Sequence, residues 1–245
     1  MAAPTTVELL WGTRHRPTRG PKPALSLEVI VAEAIALADS EGLANLSMQR
    51  LAERLGFTKM SLYRYVPGKE QLTALMLDTA LGEPPAATEP APADGTWRVG
   101  LRHWARTIFE RYRAHPWTIE LTTGARAIGP NELAWMEAAL TALRDTGLTG
   151  PERLDTIVLL NGHVRSLVQQ TRPETETRDS GDRAEQIMAQ FFAAVGASGG
   201  RYPEVLAAFA EEAAAAADPS ASGDALAFGI ERILDGLGVL IAARA

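Results

Sequence analysis

The 245 residues contain no cysteine, which excludes disulfide frameworks, thiolate nucleophiles and cysteine-based zinc sites. No apolar run approaches the roughly 18 residues that a bilayer span needs. The N-terminus also lacks the basic-then-apolar order of a secretory signal. The four histidines, His15, His103, His115 and His163, form no HExxH or other spaced metal pair, and there is no GxSxG elbow, Walker loop or dinucleotide glycine fingerprint. Strand-like alternation of β-branched residues is missing throughout. These absences lead to the expectation of a soluble, cytoplasmic chain that is not an enzyme, needs no cofactor and contacts no membrane.

What is present points to helices. Apolar residues make up 46% and charged residues 22%, a globular balance. The 15 prolines punctuate the chain, and the gaps between them are filled with Ala, Leu, Glu, Arg and Gln, strong helix formers. The fold class is therefore all-α. The stretch Gly82 to Asp94, GEPPAATEPAPAD, lacks large apolar side chains and reads as a linker over 82–94. It separates a unit at 25–81 from a larger one at 95–245, behind an N-terminal basic, flexible arm at 1–24. Two polar stretches, Glu174 to Asp182 and Glu211 to Ala221, are expected to be loops.

Net charge is −6, but it is unevenly spread. Residues 1–80 carry nine Lys/Arg against eight Asp/Glu, whereas 81–245 carry 15 against 22. All three lysines (Lys22, Lys59, Lys69) lie in the first third. Such asymmetry hints at a nucleic-acid contact near one end, and equally fits ordinary scatter of surface charge.

In the N-terminal unit, Ser26 can cap a helix bearing Ile30, Ala34, Leu37 and Ala38 on one face, with Gly42 ending it in the left-handed conformation. Ser47 can cap a second, short helix carrying Leu51, Ala52 and Leu55 and stopped by Gly56. Thr58 can cap a third, with Leu62 and Val66 facing inward and Pro67 ending it. Two short helices joined by a glycine turn and braced by a longer one describe a helix-turn-helix. With Leu62 inward, Met60, Ser61, Tyr63 and Arg64 point away, Lys59 stands at the exposed end and Tyr65 at the margin. A solvent-facing methionine and tyrosines suit a major groove, where methyl, hydroxyl and cationic groups meet base edges and phosphates. The competing reading is a plain three-helix bundle.

The run LSMQRLAERLGFTKMSLYRYVPGKEQLTALMLD, Leu46 to Asp78, resembles the DNA-binding domain of the TetR family of transcriptional repressors. That resemblance implies a recognition helix from Thr58 to Tyr65, with base or phosphate contacts from Thr58, Lys59, Met60, Ser61, Tyr63 and Tyr65. It further implies phosphate contact from Lys69, backbone contacts from Gln49 and Arg50, and a looser role for Arg64. The basic stretch Arg14 to Lys22 either follows the minor groove or is a solvated tail.

In the C-terminal unit, the helix between Pro151 and Pro173 carries more apolar residues than one stripe needs, so burial on more than one side is expected. From Asp224 to Ala243, Leu226, Ile230, Ile233, Leu234, Leu237 and Ile241 form a stripe, and Gly229 and Gly236 invite a close helix neighbour. Together these suggest a self-complementary interface. The segments Trp104 to Thr171 and Phe228 to Ile241 resemble the regulatory domain of the subfamily containing the tetracycline repressor. The resemblance implies a homodimer and a small-molecule pocket lined by Trp104, Ile108, Tyr112, Trp117, Leu121, Met136, Leu140, Asn161, His163 and Arg165. That subfamily's archetype holds its drug through magnesium, with a histidine ahead of the helix that here starts near Pro130. This chain has Gly124-Ala-Arg-Ala-Ile-Gly there, so no metal is expected.

The resulting expectation is a homodimeric regulator, most simply a repressor, that binds a palindromic operator in double-stranded DNA and is released by a small-molecule effector. The alternative is an all-α ligand-binding protein or enzyme with an incidental helix-turn-helix, which would leave Lys59, Tyr63 and Lys69 idle.

Overall fold

The computed structural model describes residues 4–12, 25–85, 96–170, 180–216 and 224–244. Among them every regular element is helical. The described chain divides into two compact units, one comprising 1–172 and 229–245, the other 173–228.

The first unit begins with α1 (Thr6–Leu10), within the stretch expected to be a flexible arm. Over residues 5–12 that expectation is corrected. Thr5 and Glu8 form a reciprocal capping box, Leu10 is buried, and the helix packs on α5 (Lys69–Leu81). The basic residues Arg14 to Lys22 lie outside the described residues.

Helix α2 (Leu27–Glu41) starts at Ser26, whose hydroxyl accepts from the Val29 amide. Gly42 ends it with φ 81° and ψ 155°, a positive φ that favours glycine but not the αL turn expected. The chain then passes directly into a 3-10 turn at Leu43–Asn45. Helix α3 (Met48–Leu55) is capped by Ser47 and closed by Gly56, which is left-handed at φ 73° and ψ 26°. Helix α4 (Lys59–Tyr63) is capped by Thr58. Ile30, Ala34, Leu37, Leu51, Ala52, Leu62, Val66, Leu72 and Met76 form one core. Ala52 is almost wholly enclosed, which allows α3 to approach its neighbours closely.

Helix α5 is the central strut. Leu72, Leu75, Met76, Leu77, Ala80 and Leu81 are all buried, because α1, α2, α6 (Thr96–Ala114), α7 (Thr118–Leu121) and α8 (Pro130–Ala142) pack around it. Helix α6 buries Leu101, Trp104, Ala105, Ile108 and Tyr112 between α8 and α9 (Gly150–Gln170).

Helix α12 (Ala225–Ala242) turns Ile230, Leu234 and Leu237 inward. It runs antiparallel to α9. Arg244 pairs with Glu152 near the start of α9, and a Cβ on Gly229 would lie 2.2 Å from the ring of His163. Gly229 thus serves the close approach anticipated for it within one chain. Around Gly236 and Gly162, by contrast, there is open space.

Arg98 and Arg102 of α6 clasp Glu231 of α12, and Arg98 also meets Asp235. The Arg102 guanidinium, chiefly by hydrogen bonding, holds the Glu231 carboxyl down at about 2 against the ordinary 4.5. Because the folded value lies below the unfolded one, this pairing adds stability above about pH 4.5 and loses it as the pH falls towards 2. Glu231→Gln should therefore cost about 1 kcal/mol at pH 7, with the difference from the parent shrinking in thermal melts below about pH 4.5 and vanishing only below about pH 2.

Within the single chain, α9 is buried on one side only. Its inward positions are Thr156, Leu160, Val164 and Val168, every fourth residue, while Leu154, Val158 and Leu159 are exposed. On α12, Val239 and Leu240 are exposed as well.

In the second unit, α10 (Ser180–Ala197) and α11 (Pro203–Ala216) bring Phe191 and Phe209 together with ring centroids 4.4 Å apart, and Phe192 stands 5.8 Å from Phe191. The loop expected over 174–182 is corrected at 180–182, which is helical, and that over 211–221 is corrected at 211–216. The remainder of both stretches lies outside the described residues, as do 86–94 of the linker.

Candidate DNA interface and effector site

Helix α4 is too short to persist alone, because a single turn does not repay its nucleation. Leu62 and Val66, both fully enclosed, fasten it to α2, α3 and α5. At its front, the Thr58 hydroxyl accepts from the Ser61 amide at 3.3 Å and lies 2.9 Å from the Ser61 hydroxyl. Those two polar side chains are thereby engaged with each other in the cap.

What faces outward is Lys59, Met60 and Arg64, with Met60 72% exposed. Tyr63 and Tyr65 are half-buried, each with its ring packed on the core, so both project less than helical geometry alone suggested. The Lys59 ammonium lies 5.7 Å from the centre of the Tyr63 ring, a cation–π contact that steadies both at the helix edge. Lys69 is exposed at the start of α5, where the Gly68 cap supplies no side-chain hydrogen bond. The helix N-terminus and the ammonium there together favour an anion.

Gln49 and Arg50 are exposed at the start of α3, but neither is idle. Gln49 donates to Glu53 at 2.6 Å, and Arg50 pairs with Glu41. Arg54, which the sequence reading did not single out, pairs with Glu33 at 2.5 Å. A phosphate would compete with these carboxylates for each guanidinium.

Four of the ten residues expected to line a small-molecule pocket have contacts of their own. Trp117 belongs to the core of the N-terminal helices, its indole N–H donating to Asp39 at 2.6 Å, and Leu121 packs on that same core. His163 is turned towards Gly229 on α12. Trp104 is core: its indole donates to the Trp135 carbonyl at 2.8 Å, and the two rings meet edge to face at 5.8 Å. These four make packing and hydrogen-bond contacts that the helical period could not reveal.

The other six lie on the three helices α6, α8 and α9. Ile108 and Tyr112 are buried on α6, while Met136, Leu140, Asn161 and Arg165 are half-buried on α8 and α9. Burial raises the Tyr112 hydroxyl above its usual range, opposed by hydrogen bonding with Asn161 and by the nearby positive charge of Arg165. The Asn161 side-chain oxygen is buried without a hydrogen-bond partner, an arrangement that costs stability unless something donates to it. Arg126 and Glu132, paired at the start of α8, also lie within electrostatic reach of Tyr112 and were not foreseen.

Among the described residues no group of three or more His, Asp or Glu is placed to hold a metal ion, and no helix is long and apolar enough to cross a membrane.

Comparison with known proteins accords with this arrangement. Residues 30–76 match the model of bacterial regulatory proteins of the tetR family, and residues 89–241 match the tetracyclin repressor-like C-terminal domain. The chain is 41% identical over 243 residues to the HTH-type transcriptional repressor DrrR1 of Streptomyces coeruleorubidus, covering 98% of this chain and 87% of that one. It is 28% identical over 130 residues to the class E tetracycline repressor protein of Escherichia coli, covering 53% and 61% of the two. Its fold resembles that of ActR from Streptomyces coelicolor in complex with actinorhodin, with a TM-score of 0.67, 27% identity and coverage of 89% and 96%. The C-terminal match alone spans more than half of the sequence, and the DNA-binding match falls on the helices that present Lys59, Met60 and Lys69. The chain belongs to the TetR family of bacterial DNA-binding transcriptional regulators.

Proposed function

We propose that the chain acts as a homodimeric repressor that occludes a promoter by binding a palindromic operator and is released by a small organic effector. In this reading residues 25–81 are the DNA-binding head, 82–94 a connection and 95–245 the regulatory and dimerisation part. The observation that supports it most is the division of labour on α4: Leu62 anchors, while Lys59, Met60 and Arg64 are left to the solvent. Two such helices in a dimer would enter major grooves about one helical turn apart. The two tyrosines contribute their exposed edges, and Gln49, Arg50, Thr58, Ser61 and Lys69 hold the backbone.

The effector would sit among Ile108, Tyr112, Met136, Leu140, Asn161 and Arg165. Its chemistry follows from those side chains: an apolar body with a hydroxyl or amine that donates to the unsatisfied Asn161 oxygen. The protein works by binding, and release requires that the effector favour a dimer with its heads mis-set for the operator.

The test is a mobility shift on the DNA flanking the protein's own gene, repeated with actinorhodin, the molecule seen on ActR. Binding at low salt that actinorhodin or a related aromatic compound relieves is the expected result. Absence of any shift on that DNA and on random duplexes would defeat the reading. Lys69→Ala should weaken binding to all sequences about tenfold and reduce the salt slope by about one, whereas Met60→Ala should reorder the preferred operators.

A further inference from the structure

Two carboxylates on the N-terminal helices hold the ends of the two helices that bound the candidate effector site. Asp39, in the last turn of α2, accepts the Trp117 indole N–H at 2.6 Å, and the same oxygen lies 2.8 Å from Nδ1 of His115. These partners immediately follow α6, which ends at Ala114, and the His115 amide still donates to the Arg111 carbonyl at 3.1 Å. Asp78, on α5 and 8% exposed, caps α8: its Oδ1 accepts from the Asn131 amide at 3.0 Å and the Glu132 amide at 3.2 Å. Asn131 returns a side-chain bond to the Asp78 carbonyl at 2.9 Å. Gly129 is required at that cap, since a Cβ there would lie 2.1 Å from Oδ1 of Asp78.

The two joints differ in construction. The Asp78 joint is buried and bonded to backbone, with no slack. The Asp39 joint is partly open, with side-chain relative exposures of 33% for Asp39 and 23% for His115, and it is made through side chains alone. Of the two, the Asp39 joint is better able to adjust.

We infer that Asp39 is a head-positioning residue: through His115 and Trp117 it ties the angle of α2, and with it the reading face on α4, to the end of α6. Spreading α6 from α8 moves the two joints relative to one another, and a head fastened at both must turn. The part played by an effector in that spreading rests on the function proposed above. The positioning itself does not.

The experiment therefore uses no effector. An operator selected from random duplexes by the full chain is compared with the same DNA carrying one scrambled half-site. The proteins are the parent, Asp39→Ala, Asp39→Asn and Trp117→Phe. A dimer with freely turning heads forfeits the advantage of binding both half-sites at once, but each head still reads its own. The expected result is a loss of tenfold or more for Asp39→Ala on the palindrome, with affinity for the single half-site within twofold of the parent. Asp39→Asn, which keeps an accepting oxygen, should restore most of the loss, and Trp117→Phe, which keeps an aromatic ring in the core but removes the N–H donor along with part of the indole, should reproduce part of it. If Asp39→Ala fails to fold, Trp117→Phe against the parent decides the matter alone. Equal losses on both DNAs, or none on either, would overturn the inference. Failure to find an effector would count against the proposed function and leave this result standing.

Discussion

A chain carrying Val158→Asp and Val239→Asp is expected to remain helical, to sediment as a monomer, and to bind a palindromic operator at least 100-fold more weakly than the parent. Val158 is 68% and Val239 72% exposed, on the outer faces of α9 and α12, and neither makes up part of the core of its own chain. Leu154, Leu159 and Leu240 extend the apolar surface on the same two helices, and the open space around Gly162 and Gly236 would let another helix approach closely. A monomeric protein seldom leaves such residues to water along two adjacent helices, and a two-fold axis would match this face to itself. Placing four carboxylates in that seam leaves charges desolvated without partners, which costs more than the apolar contacts return. The monomer loses bivalent attachment to DNA, hence the size of the effect. Sedimentation velocity and a mobility shift on the selected operator test both halves. A dimer that persists through both substitutions would place the interface elsewhere.

The second large effect concerns Leu62. Leu62→Ala should destabilise the N-terminal helices by about 3 kcal/mol, within the range for emptying an enclosed leucine site. Operator binding should fall in step. A helix of five residues has no stability of its own to draw on, and Leu62 is its only fully enclosed side chain. Val66, the half-buried ring of Tyr63 and the cap at Thr58 would be left holding the segment. Denaturant titration gives the free energy, and amide exchange across 58–66 should show that segment opening first. If exchange there were no faster than in α2, the anchoring role of Leu62 would be disproved.

Much of this could be read from local chemistry. Ser26, Ser47 and Thr58 cap the helices expected of them, and Gly56 turns left-handed where the turn needs it, because each device acts within four residues. The capping box at Thr5 and Glu8 was equally local, yet α1 escaped notice because its five residues precede a basic, proline-broken stretch. Orientation was harder. An excess of leucine and valine on α9 states that several faces are apolar but not whether the cover comes from the same chain. Tyr63 and Tyr65 lie at an angle that a helical wheel places outside, and the bulk of their rings folds back onto the core. The packing around the expected pocket residues was least legible. The partners of Trp104, Trp117 and His163, namely the Trp135 carbonyl, Asp39 and Gly229, lie 31 to 78 residues away in the chain. Asp39 and Asp78 carried no signal at all, since a carboxylate in a helix looks the same whether it faces water or another helix's end.

The attachment of α4 has a consequence for how such proteins diversify. Its hold on the molecule rests on Leu62, Val66 and the Thr58–Ser61 pair, while Lys59, Met60 and Arg64 carry almost none of that burden. After gene duplication, one copy can change these three side chains and acquire a new address on the chromosome while its scaffold stays intact. A lineage rich in related copies can thus keep their circuits from interfering through a handful of codons.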